Sequence, residues 1–376
     1  MNRWANFLWR NGRKYCGKML NIWKGCCKCF YKEEFKMAKK FYKAVWSVPT
    51  TDYGEGPDSV GPMVDRLAQA GFDLIIPVVK GGDGVVNYHS RIAKIRSQFE
   101  NWDPLFLLVQ KAKAAGLKVH PWMCVFRENE NSTLIQKDSS LQMINRDGEP
   151  TPWACPAAEE VREFELSLYE EVMDNYDVDG VHMDYIRYDS EDVCFCQRCR
   201  SGFKTEIGID PIEIGKTAEF DVYSERGRNR KHPAWAKWIE WRAGWITKFV
   251  EELSELTKSN GKELSAAVFM EYPECIVYQG QDWGDWGERG LVDYVFPMTY
   301  TNSTLMVKRR TRNHVAQVKG GCHVWEGLGK SSSRSNLSTQ TLIEQVEAAL
   351  GEAAEGIVIF HYASLTDEDL AALSQL

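Results

Sequence analysis

Eight short apolar runs alternate with amphipathic stretches from Lys43 to His361, and no Gly-rich dinucleotide loop follows the first run. The early amphipathic stretches stop at glycines, as helices do. Together these observations predict an α/β protein: a (β/α)8 TIM barrel with long loops on its catalytic face and a short basic N-terminal tail. Such barrels usually take about 250 residues and grow by insertion. A doubly wound open sheet is the competing arrangement, but the absent fingerprint counts against its commonest ligand class.

The elements follow in order. Ala44–Val48 is a strand, Ser59–Ala70 a helix with Val60, Met63, Val64 and Leu67 on one face, and Phe72–Val79 a buried strand. Asp103–Ala115 is helical and stops at Gly116; Leu117–Met123 is strand three. Arg127–Pro152 is polar and expected to be a long loop. Glu159–Tyr176 is helical, with Val161, Phe164, Leu168 and Val172 along one face, and Val178–Tyr188 is strand four. After a long insertion, Asp189–Lys231, comes a Trp-rich helix, Ala234–Ser259, and strand five, Glu263–Met270. Leu291–Met298, Cys322–Glu326 and Gly356–His361 complete the eight strands, with helices at Lys308–Lys319 and Thr339–Ala354.

The chain has 376 residues and a net charge of −7, unevenly spread. Residues 1–43 hold 12 basic and 2 acidic side chains, the remainder 34 basic and 51 acidic. An acidic body lacks the clustered Lys and Arg that bind nucleic acid, so no such partner is expected. No run approaches the ~18 apolar residues of a membrane span. Two regions are expected: a poorly ordered basic extension over 1–41, carrying Cys16, Cys26, Cys27 and Cys29, and a barrel over 42–376. Use of the tail as a membrane or partner anchor is the competing reading. Eleven cysteines in no paired pattern, with no readable secretory signal, point to a reducing compartment, the cytoplasm.

Active sites of such barrels gather where the strands end. Strand four ends His182-Met183-Asp184-Tyr185-Ile186-Arg187, and alternation puts His182 and Asp184 on one face. If that face is the lumen, Asp184 stands at the mouth, with Arg187 near enough to keep it ionised. Strand five leads to Glu271, strand six to Tyr300, strand seven to Glu326 and strand eight to His361. Between strands five and six lie two Asp-Trp pairs, Asp282-Trp283 and Asp285-Trp286. Carboxylates among aromatic rings suit sugars: ring faces stack on pyranose C–H surfaces, and two carboxyl groups supply the acid and nucleophile of glycosidic cleavage. Trp235, Trp238, Trp241 and Trp245 are expected to pack the long helix, Asp179 and Asp293 to serve turns or caps, and Asp184 has a purely structural alternative as the ion-pair partner of Arg187.

VDGVHMDYIRY, then CFCQRCRSGF and IGIDP, resembles the glycosyl-hydrolase-like family ten, whose TIM barrel is distantly similar to the α-amylase superfamily. WACPAAEEVREF, QDWGDWGERGLVDYVFPMTY and GIVIFHYASL resemble it too, so the likeness runs from about Tyr42 to the C-terminus. The resemblance implies a glycoside hydrolase acting on an oligo- or polysaccharide without a cofactor. Asp184 matches the strand-four nucleophile of amylase-type barrels and Glu271 the strand-five acid/base. His182 departs from that pattern, which has Arg there, and Glu326 or Asp282 could take the acid/base role. His182, Tyr185, Arg187, Asp282, Trp283, Trp286, Tyr300, Glu326 and His361 are the expected substrate contacts. A non-catalytic carbohydrate-binding barrel is the alternative.

Cys194, Cys196 and Cys199 show CxCxxC spacing. Structural zinc needs a fourth ligand, and Cys155 is the best candidate. With no second CxxC pair, the favoured expectation is packed thiols bracing the loop, and no metal.

Overall fold

The computed structural model describes residues 41–214 and 233–376. Eight parallel strands form a closed ring: β1 (Tyr42–Ser47), β2 (Leu74–Lys80), β3 (Lys118–Val119 continued by Trp122–Cys124), β4 (Gly180–Asp184), β5 (Glu263–Val268), β6 (Tyr294–Pro297), β7 (His323–Gly329) and β8 (Gly356–Phe360). β8 pairs with β1, and β1 with β2, which closes the barrel. β3 is broken at His120-Pro121 because proline cannot donate to the ladder. Helices α1 (Val60–Gln69), α2 (Pro104–Ala114), α3 (Glu159–Asn175), α4 (Trp235–Ser259), α5 (Trp283–Glu288), α6 (Thr304–Gln317), α7 (Thr339–Leu350) and α8 (Asp367–Leu373) each follow one strand.

Alternation along each strand sends one set of side chains into the lumen and the other beneath the helices. The lumen is plugged by Trp46, Trp122, Phe296 and Trp325, so it is a packed core. At the entry end, aspartates preceding the strands staple their neighbours. Asp179 Oδ2 accepts from Val119 N at 2.9 Å, and Asp293 Oδ2 from Leu264 N at 2.7 Å. Both have the capping role read from their position. On α4, Trp238 stacks on Trp241 at 5.4 Å and on Phe195 at 5.6 Å, the packing role expected of that row.

The structure departs from expectation in three connections. Segment 127–152 is no plain loop: it holds a short helix, Thr133–Lys137, and a hairpin of Gln142–Ile144 with Pro150–Ala154. Strand four stops at Asp184, since Tyr185 adopts φ +53°, outside the extended region. The β5–β6 connection is folded into the helix Glu274–Gln279 and α5, an element whose two glycines hid it from a propensity reading. The insertion carries a helix at Gln197–Ile207; its residues 215–231 lie outside those described, as does the expected N-terminal extension apart from Phe41. Among the described residues no helix is long and apolar enough to cross a membrane.

Candidate active site

Asp184 is the last residue of β4, and its place depends on the turn after it. The left-handed Tyr185 points its N–H back at Asp184 Oδ1 at 2.6 Å, and brings Arg187 Nη1 to the same oxygen at 3.0 Å. The Arg187 guanidinium lies over the rings of Tyr185, Phe269 and Trp153, at 4.1, 5.0 and 5.8 Å. Its plane and charge are therefore fixed before any substrate arrives. Burial pushes the Asp184 carboxyl above the usual range, and the Arg187 charge and the Tyr185 N–H pull against that. Arg187 therefore acts as the sequence suggested, against a desolvation that only the fold reveals.

Behind this carboxylate is an ionic cluster that sequence reasoning missed. Lys80, fully buried, donates to the carbonyls of Cys124 and Val125 at 3.0 and 2.9 Å, and to Glu165 at 2.6 Å, with Glu128 also paired to it. Val125 N in turn donates to the Asp184 carbonyl at 2.8 Å. The cluster braces the end of β3 beside Asp184. Burial works against the Lys80 charge, but Glu128 and Glu165 raise it overall, whereas desolvation pushes Glu165 well up. A lone lysine ending an apolar strand was the available signal.

Glu271 lies three residues past the end of β5, the neighbour of β4 in register Met183↔Ala266. Its side chain is 31% exposed, and Arg334 Nη1 stands 3.8 Å away. Tyr300, half-buried after β6, packs its ring on Phe360 at 5.4 Å and edges onto Trp46 at 6.4 Å. Burial and then the Asp184 charge push its phenol well up, so it carries its proton. His361, half-buried after β8, stands against Phe360. Beyond the ends of β1, β2 and β3 opens a cleft of about 390 Å³ whose lining includes Val48, Asp83, Arg96, Arg127 and Asn129. Arg127 also lies over the Tyr185 ring at 5.6 Å, joining this cleft to the Asp184 side. Of these lining residues, Arg127 and Asn129 fall in the segment expected to be a loop, and Asp83 and Arg96 in a connection to which the sequence assigned no element.

Five expected contacts are placed elsewhere. His182 is in the lumen, fully buried: Trp46 Nε1 donates to its Nε2 at 3.2 Å, and its Nδ1 meets Ser265 Oγ at 2.9 Å. Burial holds it well below the ordinary histidine range, so it is neutral with the proton on Nδ1. Trp283 and Trp286 are fully buried, their indole N–H groups taken by Phe269 O and Thr247 Oγ1, both at 3.0 Å. They anchor α5 to the barrel and offer no face to a sugar. Asp282 caps α5 through Asp285 N and accepts the Tyr272 hydroxyl at 2.6 Å. Glu326 has the opposite parity to lumen-facing Trp325; under α6 it meets His314 Nδ1 at 3.0 Å and accepts from Thr299 Oγ1. His314, also missed, sends Nε2 to Met270 O at 3.0 Å. One further cluster is brought together: the sulfurs of Cys155, Cys194, Cys196 and Cys199 lie within 4.8 Å of one another.

Residues 43–324 match the family described as glycosyl hydrolase-like 10. The chain belongs to that family. As a glycosyl hydrolase-like 10 chain, it is 33% identical over 264 residues to an S-layer-related protein of Niallia circulans, covering 60% of this chain and 16% of that one. It is 24% identical over 279 residues to glycosyl hydrolase DigH of Escherichia coli, covering 63% of this chain and 56% of that protein. It thus spans little more than half, or far less, of these relatives. Among solved structures, the PgaB glycoside hydrolase domain of Bordetella bronchiseptica superposes with a TM-score of 0.67 at 14% identity, over 89% of this chain and 98% of that one. The catalytic domain of β-amylase from Paenibacillus polymyxa gives 0.61 at 12% identity, over 90% and 98%. At these identities the likeness is one of fold, the glycoside hydrolase TIM barrel.

Proposed function

We propose that this chain hydrolyses O-glycosidic bonds of an oligo- or polysaccharide, with Asp184 and Glu271 as the carboxylate pair. The observation that carries the reading is the buried Asp184 at the end of β4, one oxygen held by Arg187 and the Tyr185 N–H, beside a strand that leads to Glu271. Asp184 is the nucleophile or ion-pair stabiliser: its carboxylate faces the positive charge that develops at the anomeric carbon. Glu271, open to solvent, gives its proton to the departing glycosidic oxygen and takes one from the incoming water. Tyr185 and Tyr300 present ring surface, and Arg187 positions Asp184. The cleft past β1–β3, with Arg96, Arg127 and Asn129, receives further sugar units through their hydroxyls. Family membership supports the carbohydrate substrate. Eleven cysteines in no paired pattern support a reducing compartment, the cytoplasm.

The test is turnover of a panel of α- and β-linked oligosaccharides by the full chain, Asp184→Asn and Glu271→Gln. Cleavage of one linkage class, lost in Asp184→Asn while the fold persists, is expected. In that case rescue of Glu271→Gln on a substrate with an activated leaving group assigns the acid. Binding without cleavage, unchanged in Asp184→Asn, would overturn the reading in favour of a carbohydrate-binding barrel.

A further inference from the structure

The four cysteines brought together come from two separate connections. Cys155 follows the hairpin between β3 and α3; Cys194, Cys196 and Cys199 follow β4 and open the helix Gln197–Ile207. All four thiols are buried, at 0–5% exposure. Cys155 Sγ lies 3.4 Å from Cys199 Sγ and 3.8 Å from Cys196 Sγ. A disulfide closes to about 2.05 Å, whereas four sulfurs on a tetrahedral zinc, each bonded at about 2.3 Å, stand about 3.8 Å apart. The two spacings from Cys155 lie close to that edge length and well beyond a disulfide, and all four sulfurs fall within 4.8 Å of one another. Four packed thiols need no such convergence, since each is only a weak donor.

The surroundings match a negatively charged centre. Arg242 is buried; its hydrogen bonds go to the carbonyls of Val277, Ser190 and Tyr278, and among the described residues none goes to a carboxylate. Its charge is felt by Cys194 and Cys199, and that of Arg198 by Cys155, Cys196 and Cys199. Zinc with four thiolates carries a net charge of −2 and would stand near the Arg242 and Arg198 guanidiniums, which also face Glu191 and Glu160.

We propose that Cys155, Cys194, Cys196 and Cys199 bind one zinc ion as a closed, structural tetrathiolate site. This goes against the favoured expectation of bare packed thiols; the fold brings Cys155, the candidate fourth ligand, to the other three. Binding exchanges four thiol protons for the metal. All four positions are taken by sulfur, so the ion holds no water for chemistry. Its effect is to tie two loops beside the Asp184 carboxylate. Trp153, two residues before Cys155, packs on Tyr185 at 5.6 Å and under Arg187.

The experiment is metal analysis of the full chain expressed with zinc in the medium, together with two variants. One replaces Cys16, Cys26, Cys27 and Cys29 with serine and is expected to keep about one zinc per chain. The other, Cys155→Ser with Cys196→Ser, is expected to lose it. Because the second variant risks misfolding, wild-type protein is also stripped with a chelator at unfolding strength and refolded with cobalt(II), where the visible bands of a tetrahedral tetrathiolate are expected. Slow zinc release by chelator should accompany a fall in Tm of about 5 °C or more. A metal-free tail variant, iron in place of zinc, or a Cys155–Cys199 disulfide in the alkylated protein would each overturn the proposal.

Discussion

Arg187 Nη1 and the Tyr185 N–H converge on the same oxygen of Asp184, Oδ1, at 3.0 and 2.6 Å, leaving Oδ2 without either donor. Desolvation raises this carboxyl and the arginine opposes it. Replacing Arg187 by Met therefore moves the Asp184 pKa further up, and the acid limb of kcat/KM shifts to higher pH. Taking a charged hydrogen bond as about 1.5–3 kcal/mol, activity on the plateau falls about 10–100-fold. Asp184→Asn should cost about 10²–10⁴-fold or more at every pH. A pH profile of Arg187→Met that superposes on wild type after scaling would show that the guanidinium binds sugar and leaves Asp184 untouched.

His182 tests how a polar side chain is kept inside the barrel. Its ring joins Trp46 and Ser265 and stacks on Phe296 at 5.3 Å. Truncation to Ala leaves a void and an unpaired Trp46 indole N–H, while Ser265 Oγ keeps Val181 O and His120, with an expected loss of about 2–4 kcal/mol in urea unfolding. The folded state depresses this histidine, so its neutral form stabilises above the unfolded pKa of about 6.5, and that contribution fades as the pH falls below it. The Tm gap between wild type and His182→Gln should therefore narrow from pH 7 to pH 5. A gap that widens on acidification would mean the buried ring is charged.

How much of this was legible in the sequence varies with how local the cause is. Strand and helix positions were readable because each apolar period belongs to a single element, and Asp184 followed from parity and strand order. Side-chain parity also misled: His182 shares the lumen face with Asp184, but two residues deeper, where Trp46 covers it. Trp283 and Trp286 look like sugar platforms until α5 forms and turns both rings into the core. Glu326 needs a partner, His314, supplied twelve residues earlier from α6, and no local pattern announces that pairing. Cys155, 39 residues before the CxCxxC run, could be named as a candidate from its place in another catalytic-face loop, but only the fold brings its sulfur to the other three.

Glu326 and His314 are expected to act on stability alone. Both are fully or almost fully buried, and each makes one further contact, to Thr299 Oγ1 and Met270 O respectively. Breaking a buried pair by removing one partner costs about 3–5 kcal/mol. Glu326→Leu and His314→Leu should each destabilise by that order. The double variant should lose clearly less than the two together, which a double-mutant cycle in urea measures. Loss of turnover in Glu326→Gln at unchanged Tm would instead return this carboxylate to the active site.

Glu263 carries the acid limit of the barrel's entry end. It opens β5, accepts from Lys118 Nζ at 2.7 Å and from the Tyr294 hydroxyl at 3.1 Å, and meets His120 Nε2 at 3.1 Å. Partial burial alone would raise it, but His120 and Lys118 together pull it down to about 2. A carboxylate depressed in the folded state stabilises above its ordinary pKa of 4.5, and loses that contribution as the pH falls towards 2. Glu263→Gln should therefore be less stable than wild type by about 1–3 kcal/mol at pH 7. The two denaturation curves should converge between pH 4.5 and 2. Because Lys118, His120 and Tyr294 belong to β3 and β6, a gap that is already closed at pH 6 would mean that packing, not the carboxylate, holds these three strands to β5.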